Sequence, residues 1–342
     1  NLDAQVGKSD FRAKGAFDNL LGYYFKKELL KGTFSMSSYL VDLNQFMSSA
    51  PSKETPDTAQ ASVIEIPENL DFSLTASIGK LLYENKVLEQ LKGNAALRDR
   101  TLGLNDLRFN IAGGTVLMNG VYHTKEPKSP YFNFDLGLQN FDIQTTVKTF
   151  STVKQMAAIA ERCNGKFSSN FTVVGRMNEH MDPVLPTLNG GGKLSTQNVS
   201  LTNFEPVNKM ADVLKMSQYR SMNLSNINLS FKFKDGRVVV EPFETTLAGT
   251  KAIINGSSGF DQSIDYTIGL NIPKAMLGAG AIEVANGLFA NVNKAIGTGF
   301  TLPDPVKINV SMLGTVQKPE IKTSVKDAGK GMVDEAKEKA LE

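Results

Sequence analysis

The chain has 342 residues, 41% hydrophobic and 21% charged, a balance that excludes collagen-like, coiled-coil and wholly disordered classes. Its 37 Lys+Arg against 35 Asp+Glu leave a formal net charge of +2, too weak a field to hold nucleic acid by counterion release, so no nucleic-acid partner is expected. A single cysteine, Cys163, can neither close an internal disulfide nor build a thiolate metal site, and no apolar run approaches the roughly 20 residues that span a bilayer.

Residues 1–49 read as the β-rich end of a preceding module, opening as if within a strand, which suggests a piece of a longer protein. Residues 50–68, with Pro51, Pro56 and Pro67 among Ser, Thr, Lys and Asp, have linker composition. A β-rich module is expected over 69–188. Leu70, Phe72, Leu74, Ala76 and Ile78 alternate with polar residues, and Phe132, Phe134, Leu136 and Leu138 do the same. A period of two with β-branched and aromatic residues means strands with one apolar face. Within this module the apolar period lengthens to three and four over about 143–162, which predicts a helix starting at Asp142.

A second related module is expected over 189–323. Leu229, Phe231 and Phe233 alternate with polar residues before Asp235-Gly236, a hairpin signal, and further alternation runs through Ile264–Ile272 and Val306–Met312. Helices are expected over about 206–219 and 274–295. Each is read as packing on the sheet, with a lid over an apolar cleft left open for the last. Residues 324–342 form a charged tail. The fold class expected from all this is mainly β: an elongated, curved antiparallel sheet or groove built from repeated modules, with a few capping helices.

The repeat rests on one phrase. Ala112-Gly113-Gly114-Thr115-Val116-Leu117-Met118-Asn119-Gly120 recurs as Ala248-Gly249-Thr250-Lys251-Ala252-Ile253-Ile254-Asn255-Gly256. Each copy follows a strand containing Phe109 or Phe243 and precedes Leu136-Gly137-Leu138 or Ile268-Gly269-Leu270. The two Asn-Gly pairs are expected at tight turns or bulges.

Gly-rich alternating strands, Val174-Gly175 with the later Met181-Asp182-Pro183, and the ending Leu313-Gly314-Thr315 with Pro319 and Ile321 resemble the C-terminal region of the AsmA family, whose larger members include TamB. The resemblance covers about residues 10–323 and implies a Gram-negative envelope protein held in the inner membrane by an anchor outside this chain, with a periplasmic β-rich body. The family is similar to bridge-like lipid-transfer proteins, so the resemblance implies phospholipid transport between inner and outer membrane and outer-membrane assembly. Phospholipid acyl chains and envelope proteins are the implied partners.

Such a role needs apolar side chains lining a groove, with backbone groups satisfied by strand pairing. Phe72, Leu74, Phe109, Ile111, Phe231, Phe233, Ile268 and Leu270 are candidate lining positions, although an apolar residue on an alternating strand is more often core. No catalytic, metal or cofactor site is expected: His123 and His180 lack a constellation, and Gly113-Gly114 and Gly190-Gly191-Gly192 lead into no phosphate-binding helix. The competing reading is a non-catalytic scaffold for outer-membrane protein assembly that carries no lipid. An open apolar face favours the first and a face filled by helices the second.

Overall fold

The computed structural model describes residues 1–47, 63, 65–224, 226–296 and 302–325. Within them the chain is mainly β, an open antiparallel sheet with a few short helices, as the alternation predicts. The strands are β1 (Leu2–Val6), β2 (Ser9–Asp18), β3 (Leu30–Asp42), β4 (Leu70–Tyr83), β5 (Lys86–Arg98), β6 (Thr101–Ile111), β7 (Gly114–His123), β8 (Tyr131–Asp142), β9 (Cys163–Arg176) and β10 (Asn189–Thr202). They continue with β11 (Ser221–Leu224), β12 (Asn228–Lys234), β13 (Arg237–Leu247), β14 (Thr250–Gly259), β15 (Ile264–Ile272), β16 (Val306–Gly314) and β17 (Pro319–Ser324).

Most neighbours in sequence are antiparallel partners, joined by hairpins. At four connections both central residues have positive φ: Asp99 and Arg100 (45° and 57°), Ala112 and Gly113 (51° and 76°), Asp235 and Gly236 (50° and 70°), and Ala248 and Gly249 (46° and 84°). That twist matches the right-handed twist of the strands, so these two-residue turns set the register. One pairing departs from the expected antiparallel pattern, because β3 and β4 run parallel. A parallel pair cannot be closed by a hairpin and needs a long crossover, here residues 43–69. The expected linker falls there, and 48–62 and 64 lie outside the described residues, as does most of the expected tail (326–342).

The helices differ from expectation in detail. The segment over 143–162 is not one helix but α3 (Ile143–Thr149), α4 (Ser151–Met156) and a 3-10 turn (Ala158–Arg162), broken where Phe150 is extended at φ −123°, ψ 101°. Thr145, Thr146, Val147, Thr149, Thr152 and Val153 are β-branched and lose rotamer freedom in a helix, so the run is a poor propagator. The helix expected over 206–219 is α5 (Glu205–Leu214), ended by left-handed Lys215 at φ 53° and followed by a 3-10 turn (Ser217–Arg220). The helix expected over 274–295 is a short 3-10 turn (Lys274–Met276) followed, after extended Leu277, by α6 (Ala279–Ile296). Two further short helices are α1 (Leu20–Lys26) and α2 (Asn44–Met47).

The chain divides into two compact units, Asn1–Thr145 with Phe167–Gly192 and Phe233–Gly236, and Thr146–Lys166 with Lys193–Lys232 and Arg237–Glu342. In the second unit the inner sheet face is covered. Register sets Ala252, Leu270 and Ile308 side by side, then Ile254, Ile268 and Val310, and Ile272 beside Val306. α5 lies against β16, β17 and α6. Met210, Leu214, Ala285, Phe289, Ile272, Val306 and Val310 are fully buried. The 3-10 turn after α5 fixes the helix to the sheet: the Tyr219 hydroxyl donates to Thr250 Oγ1 at 2.9 Å, both residues being without exposure. Lys209 Nζ adds a bond to the Pro319 carbonyl at 2.6 Å.

The repeated phrase is a repeated structure. In both copies Ala-Gly is the hairpin turn, while Asn-Gly sits in mid-strand rather than at a turn. Each Asn-Gly faces a bulge on the preceding strand, between Leu104 and Leu107 on β6 and between Val240 and Phe243 on β13. Asn119 Oδ1 accepts the bulged Asp106 N–H at 2.8 Å. The second copy has Pro242 in its bulge, which offers no such donor. Register then pairs Gly120 with Phe134 and Gly256 with Tyr266.

Candidate functional site: an open apolar face

In the first unit the strand registers assemble a continuous apolar surface. One row runs across seven strands as Phe17, Gly32, Phe72, Leu97, Leu102, Tyr122 and Phe132. The next runs as Gly15, Phe34, Leu74, Ala95, Leu104, Gly120 and Phe134. Neither row contains a charge. At the usual strand spacing each spans about 29 Å, roughly twice the depth of one hydrocarbon leaflet. Strand alternation puts the polar residues on the other face, where Asp71 pairs with Arg98 at 2.5 Å and Thr75 donates to Asn94 at 2.9 Å.

This face differs from that of the second unit in how far it is covered. Phe34, Phe72, Leu74, Leu97, Leu102, Leu104, Phe134 and Leu136 are only half-buried, and Phe17 is 57% exposed. Phe17, Phe34 and Phe72 form an edge-to-face cluster with ring centroids 4.9, 5.3 and 6.1 Å apart. The Phe34 ring lies over Gly32, where a Cβ would come within 2.6 Å of it, and over Gly15. Toward β8 the surface becomes better covered: Phe109, Ile111, Tyr122 and Phe132 are buried. Burial pushes the Tyr122 phenol up to about 12, as an apolar surrounding should.

The sequence-derived lining positions fall into two groups. Phe72 and Leu74 lie on the half-open rows, and Phe109 and Ile111 lie on the same strand face farther toward β7. Phe233 belongs to the first unit, with its ring 6.1 Å from that of Phe171. Phe231, Ile268 and Leu270 belong to the second unit and are 9%, 5% and 1% exposed, as core residues are. Sequence reasoning missed Phe17, Phe34, Leu97, Leu102 and Leu104. Gly32, Phe34 and Met36 alternate with Thr33, Ser35 and Ser37, but the glycine in the stripe hid it.

The chemistry-bearing residues do not converge. The His123 ring stacks on Tyr131 at 4.8 Å, and the His180 backbone N–H donates to Asn178 Oδ1 in an exposed loop. Among the described residues no three His, Cys, Asp or Glu side chains come together as a metal site. No helix there is long and apolar enough to cross a membrane. Cys163 is buried and its thiol is pushed up to about 11 by burial. Because the thiolate is the reactive form, Cys163 is expected to react with a thiol reagent at pH 8 at least a hundredfold more slowly in the native protein than in urea, about the thiolate ratio that its shift implies. The raised thiol pKa contributes stability that is present below pH 9 and is lost as pH rises toward 11. Fast native labelling would show the site to be open.

No protein-family model, no curated protein and no solved structure matches this chain. What fold and site define is a class of architecture: an open antiparallel sheet carrying a broad apolar face that its own helices leave partly exposed in the first unit.

Proposed function

We propose that the first unit is a non-catalytic carrier of phospholipid acyl chains, its apolar face serving as a hydrophobic groove. The observation that carries this reading is the pair of charge-free rows, exposed or half-buried from β2 through β6 before the first closes over at Tyr122 and Phe132. Monomeric proteins rarely leave so large a contiguous apolar surface facing water without a ligand for it. Each methylene moved from water onto such a surface gains about 0.8 kcal/mol, so about ten contacted methylenes supply the roughly 8 kcal/mol of micromolar binding. The ladder hydrogen bonds satisfy the backbone, which leaves the wall free to be wholly apolar.

With the AsmA resemblance, the reading extends to a periplasmic body anchored in the inner membrane of a Gram-negative cell, moving phospholipid toward the outer membrane. The scaffold alternative draws its support from the second unit, where α5 and α6 bury Met210, Leu214, Ala285 and Phe289 among the described residues. In the combined proposal the first unit holds lipid and the second is a packed support.

Native mass spectrometry of the purified chain, followed by solvent extraction, tests this. Near-stoichiometric phospholipid is expected. Lipid-free protein that also fails to move labelled phospholipid between vesicles would turn the assignment to the scaffold.

A further inference from the structure

The connection between β2 and β3 presents four large apolar side chains to water. Leu20, Leu21, Tyr24 and Phe25 on α1 are 56%, 72%, 78% and 73% exposed. They do not sit on a loose loop. Asn19 and Lys27 flank the helix in left-handed conformations, Tyr23 N–H donates to the Asn19 carbonyl at 3.0 Å, and Lys27 N–H donates to the Tyr23 carbonyl at 3.1 Å. The base is tied twice more: Asn19 Nδ2 donates to the Glu28 carboxylate at 3.0 Å, and Asn69 Nδ2 to the Lys27 carbonyl at 3.2 Å. Tyr24 and Phe25 meet edge to face at 5.1 Å, so the knob is ordered without being buried.

We infer that α1 is a membrane-docking element that inserts Leu20, Leu21, Tyr24 and Phe25 into the interface of an anionic phospholipid bilayer. Charge supports this occupant. Lys26 and Lys27 follow the apolar cluster directly; of the two flanking carboxylates, Glu28 accepts from Asn19 and Asp18 lies in register with Lys31, so the lysine pair at the end of α1 is the charge placed to meet anionic headgroups. Continuity supports it too: Phe17, just before α1, joins Phe34 and Phe72 of the apolar face, so the inserted knob adjoins the rows proposed to hold acyl chains. At seven residues α1 measures about 10 Å, enough to lie in an interface and far too short to span. Docking extends the acyl-chain reading and rests on it for its purpose, but it is tested separately.

The chain contains no Trp, so Phe25→Trp places a sole indole reporter on the knob. Phosphatidylcholine vesicles containing phosphatidylglycerol are expected to shift its emission to the blue, brominated acyl chains to quench it, and salt to weaken both effects. Leu21→Ser with Phe25→Ser is expected to lower co-flotation with the same vesicles by about tenfold or more. Circular dichroism and the phospholipid content of the purified protein should stay unchanged. Emission unmoved by vesicles, or flotation that survives the double substitution, would overturn the assignment. So would a blue shift without vesicles that grows with protein concentration, since the knob would then pair with a second copy. Vesicle binding retained in a chain that carries no phospholipid would instead sink the carrier reading and leave docking standing.

Discussion

Phe72→Asp is expected to fold and to lose its lipid, whereas Leu270→Asp is expected not to fold. The two residues look alike in sequence, each an apolar position on an alternating strand. Phe72 lies half-buried on the open face, so a carboxylate there keeps access to water, and the loss is that of its ring contacts with Phe17 and Phe34. That costs about 1–3 kcal/mol, which a folded unit of this size can absorb. The charge would interrupt its row between Gly32 and Leu97 and lie beside the next row at Leu74, so bound phospholipid should fall at least about tenfold. Leu270 is 1% exposed, between Ala252 and Ile308. A carboxylate there has no partner and no water, a burden of about 5 kcal/mol or more that exceeds what most domains hold in reserve. Circular dichroism and a urea melt on both variants, with extraction of lipid from whichever folds, read the outcome. A soluble, folded Leu270→Asp would mean that the helices of the second unit do not seal its sheet, and lipid retained by folded Phe72→Asp would move the binding surface elsewhere.

Gly120→Val and Gly256→Val are expected to destabilise the protein by about 2–4 kcal/mol each, because the repeat places the same constraint at both positions. Their φ values, 144° and 149°, lie where a Cβ is strained. The space is also taken: a Cβ at Gly120 would lie 2.8 Å from the Phe134 Cα, and one at Gly256 would lie 2.6 Å from the Tyr266 Cα. The crowding comes from the following strand, β8 or β15, whose backbone approaches the glycine closely while its ring lies over it. Urea midpoints should drop by about 1–2 M. Gly113→Ala is the control, since its φ is 76° but nothing lies within 4 Å of its would-be Cβ, so it should cost only about 1–2 kcal/mol. Equal losses at all three positions would show that backbone strain alone, without the aromatic cover, accounts for the effect.

Much of the sheet was legible residue by residue. Leu229, Phe231 and Phe233 ahead of Asp235-Gly236 do form a strand and a turn, and the repeated phrase does mark two equivalent hairpins. Local chemistry decides these features: alternation selects a face, and glycine or aspartate accepts a positive φ. The helix boundaries were less legible. Phe150 breaks the segment over 143–162 although its apolar spacing continues, since spacing does not register the accumulated cost of β-branched residues. Asn-Gly was legible as a mark of a bulge, but that the bulge lies on the preceding strand, with Asn-Gly itself in mid-strand, could not be read, because it depends on the cross-strand register.

The fold class, the alternation that gives each strand an apolar face and the repeated hairpin phrase are legible in the amino-acid order alone, since each depends on side-chain type and on spacing within a few residues. That β3 and β4 pair in parallel, that Phe72 and Leu74 stay half-open while Ile268 and Leu270 are sealed, and that Leu20, Leu21, Tyr24 and Phe25 are left in water emerge only once the strands are assembled. The physical reason is the same for all three. A strand carries the same alternation whether its apolar face meets a helix, a lipid or nothing, and what covers that face is set by segments far away in the chain.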